Sequence, residues 1–536
     1  MISVSGSLSD EETSTGHSYF LSKYGFTEAF LDGVLSVDPA RRDGGAVHDC
    51  IPGWISWKGC ELPVLVPPSD LGKAGSGIIE YTDGTTSFSC AAQRDRDIVI
   101  SLDIFRHLGL FLSGHMEGIW KQQKGERERW IRTPFADYYS DILFTFLTQD
   151  RAKNDQPLVY KTFWPEGKTC AVCLTHDVDE IRKTYQWVTQ PARKILRRDW
   201  DGFRRQCQSL LQKIKGDEPY WTFEALTRLE DSLGVRSSLY FLHETGKVSA
   251  LDPETWRHAG RRYEFSDPKV QALLQDLYRR KWDVGLHGSF YSFTSREALS
   301  SERHELEQAL GKDVDGGRQH NLNLRIPDTW LFQEKAGLIY DSTLGYNDCL
   351  GFRWGFSFPF WPYLTNGNRF SPVLQIPLAV EDLPYFCSLT RWDDFLDIYR
   401  RTSRISGLIT LLWHHSVFNG TEFPGWAEDY ARIIRYCTEN NTWVTDAGTI
   451  ARWWIERDKT KVRFEFENGV LRIIAESDIP ESFLDIVIPE GRTIGQLEKA
   501  IIMNKVKDKV TIRTYPLRRL ECLTVTMPEL SDGNHS

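Results

Sequence analysis

Residues 170–179 read Cys-Ala-Val-Cys-Leu-Thr-His-Asp-Val-Asp, an apolar run that ends in two carboxylates. A run of this length and composition predicts a buried strand. Side chains alternate from face to face along a strand, so Asp177 and Asp179 share a face if it continues that far. Two carboxylates at one strand mouth suit a division of labour. One holds a divalent cation, while the other stays ionised beside it and takes a proton. The run also contains Cys170 and Cys173 in C-x-x-C spacing. Residues three apart on a strand face opposite ways, so this pair reads as core filling and not as a redox or zinc site.

Outward from this strand the text alternates short apolar runs with amphipathic helices. The further runs are RSSLYFL (236–242), WDVGLH (282–287), VLQIPL (373–378), GLITLLWH (407–414) and NTWVTD (441–446). Between them lie helical stretches such as PKVQALLQDLYRRK, with Val270, Leu273, Leu274, Leu277 and Tyr278 on one face. Strand–helix alternation over 161–456 predicts a parallel α/β sheet, doubly wound or closed into a barrel. The charged stretch 190–230 reads as a solvated helical insertion. Residues 1–26 form a polar, loose segment without periodicity. An α+β accessory domain is expected over 27–160, with strands in WISWKGCELPVLVP, GSGIIEYTDG and DIVISLDIF and a helix capped by Asp103. Residues 457–536 predict a small all-β domain, with a hairpin turning at Asn468-Gly469.

The chain has 536 residues, enough for two to four domains. Its formal charge of −9 and pI near 5.9 argue against a dedicated nucleic-acid binder. With 41% hydrophobic and 26% charged residues, disordered, collagen-like and coiled-coil classes are excluded. The N-terminus lacks the pattern of a secretory signal, and no apolar run approaches a membrane span. Ten cysteines spread over a self-sufficient chain read as reduced, and the expected location is cytoplasmic.

Three more strand ends carry chemistry. WDVGLH ends in His287, followed by Gly288 and Ser289, a good position for an imidazole ligand. Gly316–Leu322 packs Gly, Arg318 and His320 into a short turn, where an arginine can orient a carboxylate. In GLITLLWHHSVF, His414 continues the face of Thr410 and Leu412 whereas His415 points away. An imidazole at that dry mouth suits a general acid near neutral pH.

With these residues in view, the chain resembles the polysaccharide deacetylase family, the carbohydrate esterases with a NodB-homology domain, over about 165–455. Thr175-His176-Asp177-Val178-Asp179 is similar to the family's T-F-D-D-G motif in a D-x-D variant. His287-Gly288-Ser289 resembles the start of its H-[ST]-x-x-H metal motif. Leu412-Trp413-His414 resembles the closing L-x-H. The resemblance implies a distorted (β/α) barrel with a divalent metal, commonly zinc, at its mouth. Asp177 is then the base, steadied by Arg318, and Asp179 and His287 are metal ligands. His414 is the acid, and Asp341, in Tyr340-Asp341-Ser342, lies near it and tunes it. The 374–378 segment and the run containing Arg353 and Trp354 would line a saccharide groove, with Tyr291 and Trp413 also against substrate.

One position departs from the family pattern. Tyr291 stands where the second metal-motif histidine is expected, and a neutral tyrosine is a poor zinc ligand. His320, on the face of Arg318, is the candidate third ligand in its place; His176 and His415 turn away. The implied reaction is metal-assisted removal of an N-acyl group, N-acetyl first, from a saccharide containing an amino sugar. A metal-independent hydrolase of a small amide or imide, and a non-catalytic saccharide-binding module, are the alternatives.

Overall fold

The computed structural model describes residues 2–5, 10–38, 51–66, 79–82, 87–94, 97–100, 102–115, 117, 130–244 and 263–529. At its centre is a curled parallel sheet. Its strands are β1 (Cys170–Val178), β2 (Ser238–Leu242), β3 (Asp283–Gly288), β4 (Gly316–Gln319), β5 (Tyr340–Asp341), β6 (Leu374–Gln375), β7 (Leu378–Glu381), β8 (Leu408–Leu412) and β9 (Thr442–Asp446). The order is β6-β5-β4-β3-β2-β1-β8-β7, with every pairing parallel. β6 and β7 are two pieces of one segment interrupted at Ile376-Pro377, since proline has no N–H for the ladder. The first piece pairs with β5 and the second with β8, so the sheet curls back on itself. The long β1 divides one edge between two neighbours: β9 pairs with Cys170–Leu174 and β2 with Thr175–Val178.

Alternation along β1 sorts its side chains as the sequence predicts. Val172, Leu174 and Val178 pack outward against the helical layer, with residues such as Phe223, Leu226 and Ile433. Ala171 and Cys173 face inward with Tyr240, Tyr340, Leu374 and Leu408, filling the barrel interior. The inward file continues through Thr175 to Asp177, which puts chemistry on top of a packed apolar plug. Cys170 and Cys173 are buried, and neither they nor the other six cysteines whose side chains are described form a disulfide among the described residues. Cys50 and the Cys90 side chain lie outside that set.

All six expected barrel runs are strands, whereas β4 and β5 carry no sequence signal. With four and two residues they are too short for periodicity to register. The expected turn over Gly316–Leu322 is therefore corrected: Gly316–Gln319 is a strand, and only His320–Leu322 turns. In helix Pro268–Arg279, Val270, Leu274 and Leu277 are buried as expected, but Tyr278 is exposed. The charged insertion forms two helices, α1 (Gln186–Leu196) and α2 (Trp200–Ile214), followed by α3 (Phe223–Leu233).

The N-terminal segment is not loose. Residues Ile2–Ser5 form a strand and Glu11–Tyr24 a helix that buries Tyr19, Phe20 and Tyr24. Its sequence hides the amphipathic pattern because Thr13, Thr15, His17 and Lys23 are buried too. The seven-stranded mixed sheet of this region includes the hairpin Ile51–Trp57/Cys60–Val66, and Asp103 caps helix Ile104–Leu112 through the Arg106 N–H at 2.9 Å. Of GSGIIEYTDG, Ile79–Thr82 is a strand; its other residues fall outside the described ones. Asp137 ties this region to the barrel: it accepts from Lys23 Nζ at 2.8 Å, Tyr19 Oη at 3.2 Å and the Phe358 N–H at 3.2 Å. The C-terminal region is two four-stranded sheets, with Asn468-Gly469 turning the first hairpin at φ 51° and 74°. Strand Leu158–Lys161, expected at the end of the accessory region, instead completes the second of these sheets beside Ser482–Val487. No helix among the described residues is long and apolar enough to cross a membrane.

Candidate active site

The C-terminal ends of β1, β3 and β4 and the residues that follow β7 and β8 come together around Asp177. Its Oδ1 accepts from Arg318 Nη1 at 2.8 Å, and its Oδ2 lies 3.5 Å from His287 Nε2. Arg318 is wholly buried and fixed on three sides, donating also to the Ser342 carbonyl at 2.8 Å and Oγ at 2.9 Å. Burial pushes the Asp177 carboxyl up, but Arg318, then His287 and His414, pull harder. The balance lies below the usual carboxylate range. Asp177 is thus an ionised carboxylate with one oxygen clamped.

Beside it, Asp179, His287 and His320 each present one ligand atom, all within 4.8 Å of one another. His287 Nε2 is 3.2 Å from Asp179 Oδ1, and His320 Nε2 is 3.7 Å from Asp179 Oδ2. Ligand atoms around a tetrahedral zinc with bonds near 2.1 Å stand about 3.4 Å apart, so these spacings bracket that value. His287 Nδ1 lies 3.0 Å from the Arg318 carbonyl; donating there leaves Nε2 as the electron-pair donor. One carboxylate and two imidazoles, nearly buried, are the donor set of a catalytic zinc site with a fourth position open. Tyr291 is half exposed and edge-on to Phe290, and it is His320, just past the end of β4, that completes this cluster.

Across the mouth, His414 faces Asp382. Its Nδ1 lies 3.0 and 3.1 Å from the two carboxylate oxygens, and its own N–H donates to Oδ2 at 2.7 Å. Burial lowers the imidazole, but the Asp382 charge and hydrogen bond outweigh it, so His414 is held well above its ordinary value. Burial pushes neighbouring Glu381 up to about 8; Asp382 and Asp177 add to this against the pull of His414. Leu322, Leu378 and Leu412 form a small apolar cluster here, two residues from His320 and His414.

Several expected positions are corrected by strand alternation. On β5, Tyr340 points into the barrel, so Asp341 turns outward and accepts from Thr343 Oγ1 at 2.5 Å. Asp382, not Asp341, is the partner of His414. Trp413 lies between inward Leu412 and His414 and so faces outward. It is fully buried against Tyr385 and Tyr430 and donates to the Trp426 carbonyl at 3.2 Å, away from any groove. Arg353 and Trp354 each donate to Glu117 at 3.0 Å and join the barrel to the N-terminal region. His176 and His415 turn away as expected: His176 lies 3.0 Å from Glu230, and His415 stacks on Phe223 with burial lowering it to about 4. Asp382 and Glu244, the latter 3.8 Å from His320, were missed. Both end apolar strand runs (LAVED and LYFLHE), so the strand-end rule that selected Asp177 also selects them.

No protein-family model matches the chain, and no curated protein does. Among solved structures, the chain is similar to a Mycobacterium smegmatis protein assigned to the polysaccharide deacetylases. Identity is 18%, covering 57% of this chain and 98% of that one, with a TM-score of 0.37. It is also similar to PuuE allantoinase, at 14% identity, 55% and 93% coverage and a TM-score of 0.35. A third is a mutant of the peptidoglycan deacetylase PdaC from Bacillus subtilis, at 10% identity, 55% and 96% coverage and a TM-score of 0.27.

Proposed function

We propose that this chain is a metal-assisted hydrolase that removes an N-acyl group, N-acetyl first, from a saccharide containing an amino sugar. The observation that carries the reading is the juxtaposition of the Arg318-clamped Asp177 with the Asp179–His287–His320 cluster, with the His414–Asp382 pair on the opposite side of the mouth. A divalent cation held by Asp179, His287 and His320, zinc on this donor set, would supply Lewis acidity and a water of lowered pKa. Asp177 takes the proton of the attacking water, its second oxygen being free of the clamp. His414, charged through neutral pH, gives a proton to the departing nitrogen as the C–N bond breaks, leaving carboxylate and amine. The leucine cluster offers an apolar floor for a small acyl group. The third donor, His320, supports this reading over a metal-independent amide or imide hydrolase. In this scheme 161–456 is the catalytic barrel, 27–160 an accessory region and 457–536 a β cap. The free cysteines support a reducing, cytoplasmic setting.

Acetate release is the test. Zinc-loaded protein is assayed on a panel of N-acetylated amino-sugar oligosaccharides and nucleotide sugars, beside Asp177→Asn. The native chain is expected to release acetate and free amine in equal amounts. Asp177→Asn is expected to lose about 10²–10⁴-fold in rate with zinc content unchanged. Near-native turnover by that variant would refute the base; metal-free turnover of a cyclic amide with none of these saccharides cut would favour the alternative.

A further inference from the structure

The helical hairpin α1–α2 is built inside out. The face of α2 toward the barrel is polar: Gln206 donates to Glu422 at 3.1 Å, Ser209 bonds the same carboxylate, and Gln212 reaches Thr421 at 2.8 Å. Lys183, just before α1, also bonds Glu422 at 2.7 Å. The apolar residues face water instead. On α1, Val188 is 73% and Leu196 84% exposed; on α2, Trp200 is 64%, Leu211 57% and Ile214 73% exposed. Trp200, Leu211 and Ile214 fall 11 and 14 residues apart, on one stripe of the helix. A soluble helix normally turns such a stripe inward, so this one is made for a second medium.

Charge identifies the medium. Residues 186–215 carry eight lysines and arginines against two aspartates, a net charge of +6 on a chain of −9. A hairpin with an exposed apolar stripe, flanking arginines and an interfacial tryptophan matches a helix lying in the headgroup layer of an anionic bilayer. A second copy would set two +6 surfaces face to face. The hairpin leaves the end of β1 and is clamped to Glu422, beyond His414 on the loop after β8. It therefore stands on the same side of the barrel as the candidate site.

We infer that α1–α2 docks this protein on an anionic membrane surface. This does not rest on the proposed hydrolase chemistry, since none of the exposed hairpin residues touches the site. The test is co-sedimentation of the full chain with vesicles of pure phosphatidylcholine or with about 30% phosphatidylglycerol. Binding to the anionic vesicles is expected to be at least about 100-fold tighter, and to collapse as salt rises from about 0.05 to 0.5 M. The exposed-site variant Leu196→Ser/Trp200→Ser/Leu211→Ser/Ile214→Ser, its fold checked by circular dichroism, is expected to stay in the supernatant. Arg197→Glu/Arg198→Glu is expected to lose the preference for anionic lipid. Native protein that ignores both vesicles would overturn the inference, as would a serine variant that binds like native. So would a lipid-free dimer in analytical ultracentrifugation that the serine variant disperses.

Discussion

Replacing Asp382→Asn removes the charge facing His414 while keeping the side chain's shape and its acceptor for the His414 N–H. The imidazole lies 3.0 Å from the carboxylate and is one-fifth exposed. At that separation and an effective dielectric near 20, the gross attraction is about 5 kcal/mol. Burial of the imidazole and access of solvent oppose it, and the carboxylate wins, so the imidazole is held above its ordinary value. Without that carboxylate, burial lowers the imidazole against only the weaker pull of Asp179 and Asp177, so its pKa falls. The sign follows from linkage. A histidine raised in the folded state contributes stability that is fully present below its unfolded pKa near 6.5 and is lost as pH rises through the folded value. In Asp382→Asn that contribution shrinks, and the alkaline limb of activity moves acidward. The assay is an NMR titration of ¹³Cε1-labelled histidines, with His414 assigned through His414→Gln, alongside the pH–rate profile. If His414 titrates within about half a unit of native in Asp382→Asn, the pair does not set its protonation.

Three further outcomes are expected. Asp177→Asn leaves the buried Arg318 guanidinium without its counter-charge and is expected to cost about 3 kcal/mol in denaturant unfolding; an unchanged midpoint would show that the ion pair contributes nothing. Because the Asp177 carboxyl is depressed, its contribution is present above the unfolded value near 3.9 and lost as pH falls through the folded one. His320→Ala is expected to weaken zinc in a chelator competition by more than the roughly 10–100-fold that loss of an orienting neighbour costs, and an unaltered affinity would remove His320 from the ligand set. Trp413→Ala is expected to destabilise by about 3–5 kcal/mol without changing preference among saccharides, and a selective change in KM would contradict its place in the core.

The long apolar runs made most of the barrel legible, because a strand buried on both faces must be apolar throughout. β4 and β5 escaped because two to four residues hold no periodicity, and what marks them is position beside neighbours already paired. Asp177, Asp179, His287, Arg318, His320 and His414 could be brought together from text because each follows or ends a strand of one sheet. Arg353 and Trp354 were harder to place for the opposite reason. Trp354 and Arg353 look like groove residues until Glu117, more than 230 residues away, claims them. Asp341 failed on parity: Tyr340 takes the interior, and the next side chain on a strand has to face out. The polar helix Glu11–Tyr24 stayed invisible because its buried threonines, histidine and lysine interrupt the apolar pattern of its inward face.

Diffraction from zinc-soaked crystals, recorded at the zinc absorption edge, probes the metal site most directly. The account requires an anomalous peak about 2.0–2.2 Å from an Asp179 oxygen and from Nε2 of both His287 and His320. Zinc seated instead among Glu381, Asp382 and His414, or absent from the Asp179 cluster after soaking, would contradict it.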